Sequence, residues 1–139
     1  MSDLMVPGNS DCQGSLHPQA IHGLKLFNQG RYFEAHEALE AAWRAESGPV
    51  RDLYRGILQV GVVYLHITQF NYLGAIKVYQ RCRKWLLPWP DTCRGVEVCQ
   101  LRQDLEAVMT ALQALGPQHI TDFDKAILKP VHYLQNKET

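Results

Sequence analysis

Five side chains that could take part in chemistry lie within nine residues of one another, from position 36 to position 44. They are an imidazole, two carboxylates, an indole and a guanidinium, contributed by His36, Glu37, Glu40, Trp43 and Arg44. If this segment is a helix, spacings of three and four residues bring His36 beside Glu40 and Glu40 beside Arg44. Such a cluster can form a structural ion network, bind an anion or hold a metal ion.

Two predicted helices must position this cluster. Apolar residues at helical spacing predict one helix from about 31 to 46 and a second from about 50 to 69. Gly48-Pro49 ends the first of them, and the connection is only a few residues long. Short connections join antiparallel neighbours, so we predict a helical hairpin at the centre of the protein.

Counting outward from this turn predicts which side chains face each other. Arg55 is placed opposite Glu40, and Gln59 is placed opposite His36 and Glu37. We therefore predict an ion pair between Arg55 and one of the two glutamates, because buried polar groups must satisfy one another. The predicted site consists of Tyr32, His36, Glu37, Glu40, Trp43, Arg44, Arg55, Gln59 and His66.

Three interpretations of this cluster remain open at the level of sequence. It can be a buried structural network, a site for a small anion or carboxylate held by arginine, or the centre of a metal-dependent hydrolase-type enzyme. The metal interpretation is disfavoured, because His36 has no second histidine four residues away and the chain contains no Glu-x-x-His. We expect no metal and no cofactor, and we leave open whether the protein is an enzyme.

The remaining segments also follow helical patterns. Helices are predicted over about 18–30, 72–86 and 95–115, with a short one over 123–128, and no segment alternates like a strand. Tyr133-Leu134 is expected to fold back on the bundle. Residues 1–16 have little apolar periodicity and are predicted to be a disordered tail. The fold class is therefore all-α, a compact bundle of about five helices in a single domain over 17–139.

Two helix connections are similar in sequence. Residues 30–35 and residues 70–75 each join two predicted helices, and each leads into an alanine that begins an amphipathic face. Two such units are fewer than a stacked repeat array needs. We therefore predict a globular bundle built from helical hairpins.

Composition and charge exclude several classes of function. Fourteen basic and fourteen acidic residues cancel, which argues against binding nucleic acid. The longest apolar stretch, residues 57–67, is far shorter than a membrane span, and residues 1–7 lack the pattern of a signal peptide. We expect a cytoplasmic protein without membrane contact. The four cysteines are expected to be free thiols, since their spacing does not suit zinc: Cys12, Cys82, Cys93 and Cys99.

A longer motif connects these residues to a known family. The run Phe27-Asn28-x-Gly30-x-Tyr32-Phe33-Glu34-Ala35-His36-Glu37-x-Leu39-Glu40-x-x-Trp43-Arg44, followed by Arg55-Gly56-x-x-Gln59 and His66, resembles the domain of unknown function 309 over about residues 20–88. This resemblance implies an all-helical domain and implies no reaction. Its most typical residues are His36, Glu37, Glu40, Trp43, Arg44, Arg55 and Gln59.

The sequence therefore predicts an interaction module or a module that binds a small anion or carboxylate. Its partner is either a small anionic molecule or another protein, and the metal-dependent hydrolase is the alternative. The C-terminal third, from Trp89 onward, has no motif that we can match.

Overall fold

Five α-helices make up most of the fold. The computed structural model describes residues 9–134, and its helices are α1 (Pro18–Asn28), α2 (Tyr32–Ala45), α3 (Arg51–Thr68), α4 (Tyr72–Leu86) and α5 (Val98–Leu115). Three short 3-10 helices span Asn9–Cys12, Pro117–Asp122 and Lys125–Ile127. The predicted all-α bundle is confirmed. None of the helices in this part of the chain is long and apolar enough to cross a membrane.

Helix α3 is central because its apolar residues cover most of its circumference. It packs against α2 on one side and α4 on another, so the predicted antiparallel hairpin of α2 and α3 is confirmed. Gly56 allows α4 to approach closely, because a Cβ atom there would lie 2.7 Å from a methyl carbon of Leu86. The buried residues of α3 are Leu53, Tyr54, Gly56, Ile57, Leu58, Val60, Gly61, Val63, Tyr64 and Ile67.

The α1–α2 and α3–α4 connections have the same backbone geometry. The amides of Arg31 and Asn71 each donate to the carbonyl five residues earlier, at 2.9 and 2.8 Å. The residue before each has a positive φ, +79° at Gly30 and +60° at Phe70. These are helix C-terminal turns that reverse the chain. The sequence similarity between the two connections therefore corresponds to two equivalent helical hairpins.

A small β-hairpin corrects the prediction that the chain contains no strand. Thr92–Cys93 (β1) pairs antiparallel with Val96–Glu97 (β2), and the turn between them contains Arg94 and Gly95, both with positive φ. Two positive φ values are typical of the tight turn of a two-residue hairpin. Strands of two residues are too short for alternation to reveal them. Helix α5 consequently begins at Val98 and not near Gly95.

The C-terminal segment closes over this hairpin. Tyr133 forms an isolated bridge with Val96, and the amide of Leu134 donates to the carbonyl of Gly95 at 2.9 Å. The predicted fold-back of Tyr133 and Leu134 is thus confirmed. The helix predicted over 123–128 is only the 3-10 turn Lys125–Ile127.

A disulfide joins the N-terminal segment to the hairpin. Cys12 is bonded to Cys93, 81 residues away, while Cys82 and Cys99 are free. The expectation of four free thiols was therefore wrong for one pair. The described part of the predicted disordered tail, residues 9–16, forms a 3-10 turn and buries Leu16. Residues 1–8 lie outside the described residues.

Candidate functional site

The predicted ion pair between the two central helices does not form. Glu40 instead pairs with Arg44 on its own helix, at 3.4 Å, and 36% of the Glu40 side chain is exposed. Glu37 is also exposed and lines a shallow groove with His22 of α1. Within residues 9–134, Arg55 makes no ion pair. The predicted pairing was wrong because both carboxylates can remain hydrated, and a hydrated carboxylate does not need a partner on α3.

Arg55 is held between two tryptophans instead. Its guanidinium carbon lies 5.0 Å from the ring centre of Trp43 and 4.3 Å from that of Trp85. Trp43 belongs to the end of α2, Arg55 to the start of α3 and Trp85 to the end of α4. These ends meet because consecutive helices run antiparallel. Arg55 was predicted to lie opposite Glu40, and it instead contacts Trp43, which lies three residues later on α2.

Two further cations extend this arrangement. Arg51 lies 5.1 Å from the ring centre of Trp43, and the Lys84 ammonium lies 4.9 Å from that of Trp85. We call Trp43, Arg51, Arg55, Lys84 and Trp85 the arginine–tryptophan stack. Cation–π attraction holds each cation over an indole ring. Sequence analysis did not include Lys84 or Trp85 in the site, and their only signal was their place on the helix that follows α3.

The cations of the stack have no protein acceptors. In residues 9–134, no hydrogen bond or ion pair involves the side chains of Arg51, Arg55 or Lys84. Asp52, which follows Arg51 on α3, also pairs with neither arginine. Stacking occupies the faces of a guanidinium and leaves its N–H edge available. The arrangement therefore presents oriented donors to whatever anion approaches.

Two buried polar atoms lie in the same part of the protein. Trp43 Nε1 and Gln59 Oε1 are both inaccessible to solvent, and neither has a hydrogen-bond partner in the described part of the chain. The predicted hydrogen bond between Gln59 and His36 is therefore not formed. Buried polar groups without partners are uncommon in folded proteins.

The outer members of the predicted site have structural contacts. Tyr32 packs edge-on against Phe27 and Tyr64, with ring centres 5.3 and 5.7 Å away, and burial raises the pKa of its phenol. His66 Nδ1 lies 3.2 Å from the side-chain nitrogen Nδ2 of Asn71. The side-chain oxygen of Asn71 caps the start of α4. These residues stabilise the helix ends opposite the stack.

The carboxylates and imidazoles of the predicted site do not converge. Among the described residues, no group of three or more His, Cys, Asp or Glu side chains is placed to hold a metal ion. The side chain of His36 makes no hydrogen bond within residues 9–134. The geometry consequently offers no support to the metal-dependent hydrolase.

Part of the chain is similar to a known protein family. Residues 20–78 match the sequence profile of the family described as "Domain of unknown function (DUF309)". This match confirms the resemblance predicted from the motif. The matched residues extend from α1 into α4 and include Trp43, Arg51 and Arg55, but they end before Lys84 and Trp85.

A more distant relative is an uncharacterized protein of Aquifex aeolicus (strain VF5). It is 23% identical over 95 residues, which cover 68% of this chain and 28% of the relative. The chain therefore spans less than a third of the length of that protein.

Proposed function

We propose that this protein is an interaction module that binds the carboxylates of an acidic protein segment through the arginine–tryptophan stack. The observation that carries the proposal is the position of Arg55, which is held between Trp43 and Trp85 with no acceptor in the described part of the chain. A guanidinium fixed in this way loses little side-chain entropy when it binds a carboxylate.

The local charge supports an anionic partner. Glu40 compensates Arg44, whereas Arg51, Arg55 and Lys84 have no ion-pair partner within residues 9–134. Asp52 is the acidic residue nearest to the stack in sequence. Its single negative charge is outnumbered by the three positive charges of the stack, so the net charge of this region is positive. Charged hydrogen bonds to carboxylates are among the stronger contacts available to such a surface.

The spacing of the arginines supports a partner with more than one carboxylate. Arg51 and Arg55 are one helical turn apart, a separation of about 6 Å along α3. Glutamates one turn apart on a helix, or two residues apart on an extended chain, have a similar spacing. A protein segment with several acidic residues matches this separation better than a single small anion does.

The rings argue against a nucleic acid partner. Trp43 and Trp85 each carry two cations, at 4.3 to 5.1 Å from their ring centres. Proteins that bind single strands without sequence preference stack bases on free aromatic faces. Here the cations compete for those faces, so the N–H edges of the arginines are the better recognition elements.

A peptide titration tests this proposal. We expect a glutamate-rich peptide to change the fluorescence of Trp43 and Trp85, and we expect a glutamine-rich peptide of the same length to have no effect. Arg51→Gln and Arg55→Gln should each raise the dissociation constant of the glutamate-rich peptide about tenfold, as expected for loss of a hydrogen bond to a charged group. Arg31→Gln serves as the control, because Arg31 forms an exposed ion pair with Glu34 and does not belong to the stack.

Three outcomes would contradict the proposal. They are equal binding of the two peptides, unchanged binding by both arginine variants, or tighter binding of a single-stranded oligonucleotide than of the acidic peptide. The cytoplasmic location expected from the sequence remains part of the proposal, and cell fractionation tests it.

A further inference from the structure

We propose that the Cys12–Cys93 disulfide can be reversibly reduced and that its reduction releases residues 9–16 from the β-hairpin. We call residues 9–16 the N-terminal strap. The proposal does not depend on the function proposed for the arginine–tryptophan stack. Its basis is the way in which the strap is attached to the rest of the protein.

Apart from the disulfide, one residue of the hairpin makes three hydrogen bonds to the strap. The backbone amide of Arg94 donates to the carbonyl of Cys12 at 2.8 Å. Its guanidinium donates to the carbonyls of Asp11 and Ser15, at 2.8 and 3.0 Å. Arg94 has a φ of +49° in the hairpin turn and directly follows Cys93. The covalent bond therefore also positions the residue that makes these hydrogen bonds.

The strap forms part of the lining of a cavity at this end of the bundle. The cavity has a volume of about 320 Å³, and its lining includes Gly14, Ser15 and Leu16 of the strap. The lining also includes Ile21 of α1, Arg94 of the hairpin turn and Leu134 of the C-terminal segment. Leu16 is only 6% exposed. Release of the strap would therefore open the cavity further and expose Leu16.

Reduction should leave the helical bundle in place. The strap precedes α1 and contributes Leu16 to the core, with Cys12 packed against it, whereas most of the buried core residues belong to the five α-helices. Segments with few buried contacts open locally at lower cost than core helices do. Cleavage of this bond therefore acts on the strap and the hairpin more than on α3.

The chemistry is an ordinary thiol–disulfide exchange with a dithiol reductant. The thiolate attacks Sγ of Cys12, because Cys12 is partly exposed whereas Cys93 is 1% exposed. The S–S bond breaks, and Cys93 leaves as a thiolate and takes up a proton. The second thiol of the reductant then displaces Cys12, so two electrons pass to the protein and the reductant becomes a disulfide.

The free cysteine in the core does not compete in this exchange. Cys82 is fully buried, and burial raises the pKa of its thiol to about 12. The thiolate is the reactive form, so Cys82 remains inert at neutral pH. Cys99 is partly exposed and provides a matched control position.

Hydrogen exchange measured by mass spectrometry tests this proposal. The full chain is compared before and after reduction of the disulfide with dithiothreitol. We expect exchange in residues 10–16 and 92–97 to become at least about tenfold faster after reduction, as for a local opening. Peptides from α3 should remain protected at the same labelling times. Three results would overturn the proposal: unchanged exchange in the strap, an equal rise throughout α3, or a bond that dithiothreitol reduces only in denaturant.

A variant pair provides the second arm. Cys12→Ser should show the fast exchange of the reduced protein without any reductant, and Cys99→Ser should behave like the parent in both conditions. If Cys12→Ser does not fold, reduction of the parent protein still decides the question. A Cys12→Ser protein that folds with a fully protected strap would refute the proposal.

Discussion

At the scale of single residues, Arg55 illustrates how a charge can be held without a counter-ion. An arginine between two indoles gains attraction from both rings and keeps part of its hydration. A carboxylate moved into the same place would need to lose water and would be costly to bury. This difference in desolvation explains why Arg55 contacts Trp43 and Trp85 while Glu40 remains at the surface with Arg44.

We predict that Arg55→Met lowers the free energy of unfolding by about 1–2 kcal/mol, the sum of two cation–π contacts. Methionine keeps the apolar stem, so most packing survives. Arg44→Met is the matched control, and its exposed pair with Glu40 should contribute less than about 0.5 kcal/mol. Urea denaturation of the two variants measures both values. A loss of about 3–5 kcal/mol at Arg55 would instead indicate a buried carboxylate that depends on it.

At the scale of the elements, two glycines of α3 differ in what surrounds them. A Cβ atom at Gly56 would lie 2.7 Å from Leu86, which is 1% exposed and cannot easily move. A Cβ atom at Gly61 would lie 3.4 Å from the ring of Phe27, an ordinary contact. A close approach of a neighbouring helix therefore requires glycine only at Gly56, where α4 crosses.

We predict opposite effects for the two alanine substitutions. Gly56→Ala should destabilise the protein by about 1–3 kcal/mol, because overpacking against α4 outweighs the gain in helix propensity. Gly61→Ala should be neutral or should stabilise the protein by up to about 1 kcal/mol. Thermal unfolding of the pair checks this, and equal effects of the two substitutions would argue against the close approach of α4 at Gly56.

At the scale of the whole molecule, long-range contacts tie the ends of the described chain to the bundle. The side chain of Asn28, at the end of α1, donates to the carbonyl of Val131 at 2.9 Å and accepts from its amide at 2.8 Å. The same C-terminal segment then pairs with the hairpin that holds Cys93. Asn28 belongs to the family motif, and this contact gives it a structural role.

We predict that Asn28→Ala lowers the free energy of unfolding by about 1–2 kcal/mol, as expected for two partly exposed hydrogen bonds. It should also accelerate hydrogen exchange in residues 129–134. Gln29→Ala is the control, since Gln29 is an exposed neighbour on the same turn. If the two substitutions have the same effect, the Asn28 contact does not hold the C-terminal segment.

The sequence alone determined the helices, their order and the central hairpin. Apolar residues at spacings of three and four, with Gly48-Pro49 and Pro88 as breaks, are local signals that do not depend on the rest of the fold. The equivalence of the Gly30 and Phe70 turns was also predictable, because both sequences have similar residues at the same positions.

Only the tertiary structure decided which side chains meet. Counting along one hairpin placed Arg55 near the correct end of α2 but could not include Trp85, which arrives from α4. The Cys12–Cys93 bond likewise depends on a two-residue hairpin that returns to a cysteine 81 positions earlier in the chain. Periodicity determines which face of a helix is buried. The partner of a long polar side chain depends instead on which neighbours the whole fold brings within its reach. It also depends on how much hydration each group would lose on forming the contact.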